Sequence, residues 1–428
     1  MAKTNFQTVD EYIAACPEES RKYMQKIRRT VKSVAPKVEE RISYQIGGFR
    51  LNGKGLLGFA GWMLASTVWA TLASHTVIEA TSLALTTLAG VWFALLTAAP
   101  LYLKGHSYGE FVFDQSFAQL AAQLGHRYYP KLLGMSPLSP VQGYRFLTAQ
   151  GQDAATLTQL MLELIDGFCR EHRIFSCNFL YVDPTWRPLA EAAGCHTWLN
   201  QQSLWSNQGY ATFDDYLASF NANQRRNIKR ERKAVQQAGL SVTPVLGDAI
   251  TPALLERMHH FYAQHCARWG PWGSKYLTAD FFEQDSDELR PSLVLFSAHR
   301  GDPQDPVAMS LCVQGNGCLW GRYWGSDEEV DNLHFEVCYY APIAWAIANG
   351  VKQFDPGAGG SHKRRRGFVA RPHASLHRWY DEGFETILRR WLPEANAEQL
   401  AEIEAINAEL PFTATAPQLS ALGVEPAA

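Results

Sequence analysis

The chain has 428 residues, of which 39 are Lys or Arg and 42 are Asp or Glu, for a formal net charge of −3. Composition therefore makes no case for a nucleic-acid-binding protein, while the length allows two or three domains with separate cores. The eight cysteines form no CxxC pair and no Cys/His zinc spacing, which predicts free thiols and no metal site. Without a secretory signal at the start, we expect a cytoplasmic location.

Residues 1–55 are polar and predict helices, one opening at Val9 and a second running from Pro17 to about Val34. The string "VDEYIAACPEESRKYMQKIRRTVKSVAPKVEERISYQIGGFRLNGK" resembles the opening half of a small bacterial frataxin-like domain, also called iron-chaperone-like. The resemblance ends near Lys54, and we expect the sheet of that family to be missing. Half a small domain buries too little area to fold alone, which favours a structural or vestigial role.

Residues 56–98 form an apolar segment in which Glu79 is the only acidic residue and Lys and Arg are missing. Two runs, Leu56 to Ala73 and Ala80 to Ala99, are each near the length that spans a bilayer. One interpretation is a membrane hairpin, which would give membrane contact through residues 56–99. Buried helices diluted by Ser, Thr, Ala and Gly are another, and an inserted or frame-altered segment is a third.

Residues 99–240 read as a first lobe of mixed α/β order. The expected strands are Leu101 to Lys104, Phe111 to Phe113, Lys131 to Met135, Phe175 to Val182 and His196 to Trp205. The expected helices are Ala154 to Arg170 and Pro184 to Ala193. Between the first two strands, His106, Tyr108 and Glu110 share a short loop. They would line a substrate cleft, or else satisfy the loop's own backbone.

Asn221 to Gly239 should be a strongly basic helix with an Asn N-cap and a glycine stop. Guanidinium forks pair with phosphates, so Arg225, Arg226 and Lys229 are candidates for gripping a phosphate-bearing donor. The alternative is a solvated cationic helix, as charge runs usually are.

Residues 241–391 read as a second lobe, opened by a helix from Thr251 to Trp269. Three strands follow as a meander, then a helix and a short strand: Leu293 to His299, Val307 to Val313, Cys318 to Trp324, Leu333 to Ala348 and Val351 to Asp355. Pro342 should kink or break that helix. Residues 392–428 should be helical to about Leu410 and loose beyond it.

Meander, helix and strand in this order resemble the core of the GNAT acyltransferase fold. The sequence is similar to the FemAB-like branch of that superfamily, and most of all to predicted N-acyltransferases labelled as peptidoglycan biosynthesis or recognition proteins. The phrases that match are "LYLKGHSYGEFVFD", "YYPKLL", "NQGYATFDDYLASFNANQRRNIKRERK", "GRYWG", "LHFEVCYY" and "DPGAGGSHKRRRGF". The resemblance implies an α/β (α+β) fold of two GNAT-like lobes with mixed sheets flanked by helices, after a helical N-terminal segment.

Acyl transfer to an amine needs a proton acceptor, stabilisation of the carbonyl oxygen and alignment of the partners. The sequence has no G-x-S-x-G elbow and no cysteine in a nucleophile motif, which favours direct attack. In the GNAT fold the donor inserts where the fourth and fifth strands diverge. Here that implies the strands Cys318 to Trp324 and Val351 to Asp355, with backbone N–H groups near Tyr323 polarising the carbonyl.

The candidates for the base are Glu336, His334 and Asp355. A His near a helix start also serves as a cap, and an Asp before Pro-Gly also serves a turn, so both alternatives stay open. Arg322 lies on the third strand of the meander among aromatic residues. It would either pair with Glu336 or bind a substrate carboxylate.

The glycine-rich loop from Gly357 to Phe368 is the strongest single signal. Glycines allow a ligand to approach the backbone closely, and His362, Lys363 and Arg366 would hold a phosphate or a polar acceptor. The family resembled here usually has an acidic residue before the His-Lys pair. This chain has Ser361 there, which puts catalysis in question if that acid is the base.

These observations predict an N-acyltransferase that moves an acyl or aminoacyl group to an amine from a phosphate-bearing donor, namely acyl-CoA, an acyl carrier or charged tRNA. Acyl-CoA or aminoacyl-tRNA would be a co-substrate, with no permanently bound cofactor. The partners would be a small-molecule or peptide amine acceptor and tRNA. The alternative is a non-catalytic module that recognises cell-wall peptide or a polyanion.

Overall fold

A computed structural model describes most of the chain from residue 96 onward and parts of the N-terminal segment. The described residues are 8–15, 21, 25, 28–29, 39–43, 46–51, 54–58, 96–136, 139–268, 275–283, 289–413 and 415–416. Most of the apolar segment, residues 59–95, lies outside them, and so does the predicted membrane hairpin. Within the described ranges, no helix combines the length and the apolar character needed to cross a bilayer.

The N-terminal part contains strands as well as helix. Helix α1 covers Val9–Ala15, as expected. Strands β1 (Glu39–Ser43), β2 (Ile46–Leu51) and β3 (Lys54–Gly58) then form an antiparallel sheet in that order. The prediction of a purely helical segment without a sheet is therefore wrong. The sequence signal was Asn52-Gly53, a dipeptide typical of tight hairpins, between β2 and β3.

One ten-stranded mixed sheet forms the centre of the molecule, which confirms the expected mixed α/β class. Its strands run in the order β10-β11-β12-β13-β14-β9-β15-β8-β6-β5, and β4 and β7 pair separately. The strands are β4 (Thr97–Ala98), β5 (Tyr102–Lys104), β6 (Lys131–Gly134), β7 (Leu147–Thr148), β8 (Ser176–Phe179), β9 (His196–Ser206), β10 (Ser241–Leu246), β11 (Leu293–His299), β12 (Pro306–Gly315), β13 (Cys318–Ser326), β14 (Gln353–Asp355) and β15 (Val369–Trp379).

Helices cover both faces of this sheet. They are α2 (Gln115–Gln123), α3 (Ala154–Glu171), α4 (Arg187–Ala192), α5 (Phe213–Ala218), α6 (Ala222–Gln237), α7 (Pro252–Ala267), α8 (Ala279–Glu283), α9 (residues 333–348) and α10 (Glu382–Ala408). Helix α6 begins after Asn221, whose side chain caps it, and ends before Gly239, as expected. Helix α9 contains a π-helical turn, Glu336–Tyr340, directly before Pro342, where a break was expected.

The two lobes exchange strands. In the first lobe β6 and β8 are parallel and joined through α3, and in the second β13 and β14 are parallel and joined through α9. The strand after β8 is β9, which pairs with β14, whereas the strand after β14 is β15, which pairs with β8. Residues 369–379 therefore lie beside first-lobe strands, although they belong to the predicted second lobe.

Two local expectations differ from the structure. Phe111 to Phe113 is a loop instead of a strand, because Phe111 has a φ of 56°, which extended backbone does not allow. The expected boundary at residue 392 falls inside α10, where Leu392 and Ile403 are buried. Phe412 also packs on Phe220, so the chain stays part of the core beyond the helix.

The crossing of β13 and α7 leaves no space for a side chain at Gly325. A Cβ atom there would lie 2.2 Å from the carbonyl oxygen of Phe261. We expect Gly325→Ala to lower the free energy of unfolding by about 3 kcal/mol, because backbone must move to relieve the overlap. Gly315→Ala is the control, since its Cβ would meet nothing closer than 3.6 Å. Equal urea midpoints for the two variants would contradict this packing.

Candidate active site

The candidate site begins where two parallel strands separate. Strands β13 and β14 pair through only three positions, Cys318 with Gln353, Leu319 with Phe354 and Trp320 with Asp355. Beyond these pairs β13 continues to Ser326, whereas β14 ends at Asp355 and the segment after it turns into the glycine-rich loop. This is the divergence that the GNAT resemblance implied, and we call the place where β13 and β14 part, between Arg322 and Asp355, the opening.

A β-bulge lies at this opening. Leu311 of β12 faces Tyr323 and the next residue, Cys312, faces Gly321, so Arg322 has no residue opposite it. A bulge leaves one residue outside the hydrogen-bonded ladder and bends its strand. The bulge therefore changes the backbone direction of β13 beside Tyr323, where the sequence suggested a donor to the carbonyl oxygen, and that role stays a prediction.

Arg322 and Asp355 form an ion pair across the opening. The guanidinium Nη2 lies 3.2 Å from Asp355 Oδ2, and Nη1 donates to the carbonyl oxygen of Gly321 at 2.7 Å. The other carboxylate oxygen of Asp355 accepts from the Gly357 N–H at 2.8 Å. The expected pairing of Arg322 with Glu336 is therefore wrong. Asp355 therefore serves the turn, and its role as a base stays a prediction.

Lys363 is buried beneath the glycine-rich loop. Its Nζ donates to the carbonyl oxygens of Gly357 and Ala358 at 2.7 and 3.3 Å. Burial lowers the pKa of this ammonium to about 8, and the neighbouring Asp355 carboxylate opposes the shift. With 2% of its surface exposed, Lys363 fixes the loop and does not reach out to a phosphate.

Two neutral imidazoles line the α9 side of the opening. The Tyr339 hydroxyl hydrogen-bonds His362 Nε2 at 2.8 Å. His334 packs its ring 4.5 Å from that of Trp324 and 5.6 Å from that of His362. Burial lowers the pKa of His334 to about 3, helped by His362, so His334 is uncharged at neutral pH. Such an imidazole is a weak proton acceptor.

Glu336, the remaining candidate base, is held by Arg232 of α6. Arg232 Nε donates to Oε2 at 3.0 Å and Nη2 donates to Oε1 at 2.9 Å, which engages both carboxylate oxygens. The same guanidinium lies 4.4 Å from the centre of the Phe213 ring. A two-pronged pair of this kind ties α6 to α9 and favours a structural role for Glu336.

A cavity of about 690 Å³ lies beside this site, between α6, Phe335 and the residues before β15. It is lined by Asn223, Gln224, Asn227, Glu231, Phe335, Ser361, His362, Arg364, Arg365, Arg366, Glu409 and Pro411. Arg366 is buried, with Nη2 2.7 Å from Glu231 Oε2 and its guanidinium 3.3 Å from the Phe335 ring centre. Arg364 pairs with Glu409 at 2.9 Å, and Arg365 is exposed. The cations of the cavity therefore come from 364–366.

The basic residues of α6 do not line that cavity. Arg225 donates to the carbonyl oxygens of Phe220 and Ala218, at 2.9 and 3.3 Å, and Arg226 and Lys229 are exposed. The residues of α6 that line the cavity are instead Asn223, Gln224 and Asn227, which have side-chain amides, and Glu231. An anion grip on the exposed face of α6 therefore stays a prediction.

The predicted cleft loop of the first lobe separates into two parts. Glu110 is buried and pairs with Lys131 Nζ at 2.6 Å, and Lys131 also pairs with Asp114 at 2.5 Å. His106 and Tyr108 are exposed. Glu110 therefore stabilises the loop from below and cannot line a cleft. Lys131 was the missed partner, since nothing in the sequence sets it apart from a surface lysine at a strand end.

Sequence reasoning also missed three residues on the first-lobe side of the sheet. Tyr181 stacks on His373 with ring centres 4.4 Å apart, and the cross-strand partner of His373 is Asn200. Burial raises the pKa of Tyr181, and the Asp355 charge adds to that effect, which places Tyr181 within electrostatic reach of the site. These residues come together only through the exchange of β9 and β15 between the lobes, which no local sequence pattern predicts.

Comparison with protein-family models decides the relationship, because a model described as peptidoglycan biosynthesis/recognition matches residues 75–414. The chain belongs to the FemAB-like family. Membership connects it to peptidoglycan biosynthesis or recognition. No curated protein matches the sequence.

Solved structures resemble this FemAB-like chain at low identity. L-PGS from Bacillus licheniformis is 9% identical, with a TM-score of 0.42 over 66% of this chain and 84% of the other. A conserved protein of unknown function from Bacteroides thetaiotaomicron is 12% identical, with a TM-score of 0.40 over 65% and 98%. FemX is 11% identical, with a TM-score of 0.37 over 60% and 85%.

The buried lysine predicts a pH dependence of stability. An unfolded Lys keeps the ordinary pKa of 10.5, whereas folded Lys363 titrates near 8. Between these values the unfolded state binds more protons, so stability rises with pH. From about pH 7.5 to about pH 9.5 we expect wild type to gain about 2 kcal/mol relative to Lys363→Met. Urea unfolding of both proteins measures this gain, and parallel pH profiles would contradict a lowered pKa of Lys363 in the folded state.

Proposed function

We propose that this FemAB-like protein is an N-acyltransferase that moves an acyl or aminoacyl group from a phosphate-bearing donor to an amine by direct attack. The opening between β13 and β14, with the bulge at Arg322 on one side and Asp355 on the other, carries this proposal. It joins a backbone donor for the carbonyl oxygen with a carboxylate for the amine proton. The family description supports an acceptor from cell-wall peptide metabolism.

In this mechanism the donor carbonyl enters the opening with its oxygen toward the bulged backbone of β13. The acceptor nitrogen attacks the carbonyl carbon, and a tetrahedral intermediate forms. Asp355 takes the proton that the nitrogen loses, directly or through one water. Collapse breaks the bond to the thiolate or ribose oxygen of the donor, which then receives a proton. Lys363 acts by holding the carbonyls of Gly357 and Ala358 beside the opening.

The cavity beside the loop suits the phosphates of the donor. Arg364 and Arg365 offer guanidinium groups at its wall, and Asn223 and Asn227 offer amides. Arg366 is already bonded to Glu231 and supports the wall instead. His362 lines the cavity and bonds Tyr339 at the opening, so the two compartments adjoin.

A non-catalytic recognition module is a second candidate function, because of the residue at position 361. Ser361 lines the cavity at the position where the resembled family usually has an acid. A protein that binds donor or acceptor but never transfers would fit this alternative.

Thermal unfolding of the full chain with acetyl-CoA, longer acyl-CoAs or aminoacyl-tRNA identifies the donor. A donor at about one hundred times its Kd should stabilise the fold by about 2.7 kcal/mol. We expect one class to shift the transition, with transfer to an amine in the same mixture. A shift without transfer would favour the recognition module, and no shift with any class would contradict both the donor site and the proposed reaction.

The base assignment is tested with two isosteric variants. We expect Asp355→Asn to lower kcat about 100-fold or more, because the proton acceptor is lost. Glu336→Gln should lower the unfolding midpoint instead, because the two-pronged bond to Arg232 weakens, while kcat per folded molecule stays within about threefold. Steady-state transfer rates and urea unfolding of both variants separate the effects. The reverse pattern would make Glu336 the base.

The donor cavity is tested by reversing one charge at a time. Arg365→Glu should raise the Kd of the donor about tenfold, because a cation at the cavity wall becomes an anion. Arg226→Glu is the matched control on α6, exposed and outside the cavity lining, and should change the Kd by less than about twofold. Should Arg226→Glu weaken binding more, the exposed face of α6 would be the anion grip.

A further inference from the structure

One wall of the cavity is formed by the residues that follow helix α10. That helix ends at Ala408, and residues 409–413, which we call the 409–413 segment, continue from it. Glu409 and Pro411 of this segment line the cavity, together with Asn223 and Asn227 of α6. The place that we assign to the donor phosphates is therefore formed in part by the 409–413 segment.

Hydrogen bonds hold the backbone on both sides of Glu409. Before it, the buried side chain of Asn407 accepts from the Ala370 N–H at 2.9 Å and donates to the Ala370 carbonyl oxygen at 3.0 Å. After it, the carbonyl oxygen of Pro411 accepts from the N–H of Asn221, the residue that caps α6, at 2.9 Å. Because both sides are bonded to the core, the backbone at Glu409 keeps its place beside the cavity.

The side chain of Glu409 is held far less firmly than its backbone. Its Oε2 accepts from Arg364 Nη1 at 2.9 Å, and 73% of the side chain is exposed to solvent. Glu231, the other carboxylate in the cavity lining, is only 17% exposed and bonds both Arg366 and the Tyr340 hydroxyl. An exposed ion pair contributes little to stability, so the Glu409 carboxylate can leave Arg364 at little cost, whereas Glu231 would leave a buried charge behind.

Arg364 is also one of the two guanidinium groups that we assign to the donor phosphates. While Glu409 is bonded to Arg364, a phosphate that enters the cavity meets a guanidinium that already has an anionic partner. A phosphate monoester carries more negative charge than a carboxylate and has three acceptor oxygens, so it pairs more strongly with a guanidinium. The carboxylate has the advantage of attachment, because the fixed backbone keeps its effective concentration at Arg364 high. The two anions therefore compete for one cation.

We propose that Glu409 is an internal competitor of the donor phosphates: its carboxylate occupies Arg364 while the cavity is empty and is displaced when a phosphate binds. This inference rests on the proposed function, which places the donor phosphates in the cavity, and it adds a regulation of that site. The 409–413 segment thereby sets the affinity of the cavity for phosphate below the value that its arginines alone would give. A donor that makes further contacts displaces Glu409, whereas a lone small anion does so only at high concentration.

The test is isothermal titration of the full chain with inorganic pyrophosphate at low salt. Glu409→Gln keeps the size of the side chain and removes its charge, so Arg364 loses its internal anion. We expect the Kd of pyrophosphate to fall about fivefold. Glu404→Gln is the matched control, because it removes the same charge from an exposed position of α10 outside the cavity lining. It should change the Kd by less than about 1.5-fold.

A double-mutant cycle with Arg364 separates competition from a structural role of Glu409. Arg364→Gln removes the cation that both anions use, and it should weaken pyrophosphate binding about fivefold. In that background Glu409→Gln should change the Kd by less than about twofold, because the carboxylate no longer has a cation to occupy. Urea unfolding of all four variants and wild type checks that each protein is folded during the titration.

An unchanged or lower pyrophosphate affinity of Glu409→Gln would overturn the proposal. An equal gain in Glu404→Gln would also overturn it, and so would a full gain from Glu409→Gln in the Arg364→Gln background. In each of these cases wild type still binds pyrophosphate, so the phosphate site of the proposed function stands without an internal competitor. If pyrophosphate bound to none of the proteins, the phosphate site would have to be removed from the cavity, and the competitor with it.

Discussion

The ladder between β9 and β15 joins the two lobes, because each of these strands follows one lobe in sequence and pairs with the other in space. Nine residue pairs, from Val369 with Leu204 to His377 with His196, form this ribbon. Each strand then bonds to a parallel pair of the opposite lobe. Neither lobe can complete its sheet without the other, so a single continuous sheet sets the distance between the opening at Asp355 and the first-lobe strands.

Buried ion pairs position the elements around the opening. Arg232 with Glu336 and Arg366 with Glu231 both connect α6 to the elements on its inner side. Lys131 with Glu110 and Asp114 does the same beneath the first-lobe loop. Breaking such pairs leaves an uncompensated buried charge, which makes them stiff constraints even where their net contribution to stability is small. The charged side chains at these positions therefore hold elements of the fold together.

Contacts between residues that are distant in sequence limited what could be predicted from the sequence alone. Periodicity, caps and turn residues located the meander, α6 and α9, because these signals act over a few residues. The divergence of β13 and β14 near Asp355 was implied by the resemblance to the GNAT fold. The partners of Glu336, Arg322 and Lys131 were out of reach, since each lies far away along the chain. Tyr181 and His373 were missed for the same reason, and left-handed backbone at a tyrosine has no sequence signature.

The two lobes share one architecture but differ at the corresponding place. In the first lobe β6 and β8 also run parallel, and beyond them the amide of Tyr144 donates to the Tyr181 carbonyl oxygen at 3.0 Å. The Tyr144 ring packs so closely that a Cβ on Gly134 would lie 2.4 Å from it. The chain itself therefore fills this place in the first lobe, whereas in the second lobe the ion pair of Arg322 with Asp355 lies there. The two lobes therefore differ where their parallel strands part, and the strand exchange holds these two places at a fixed separation.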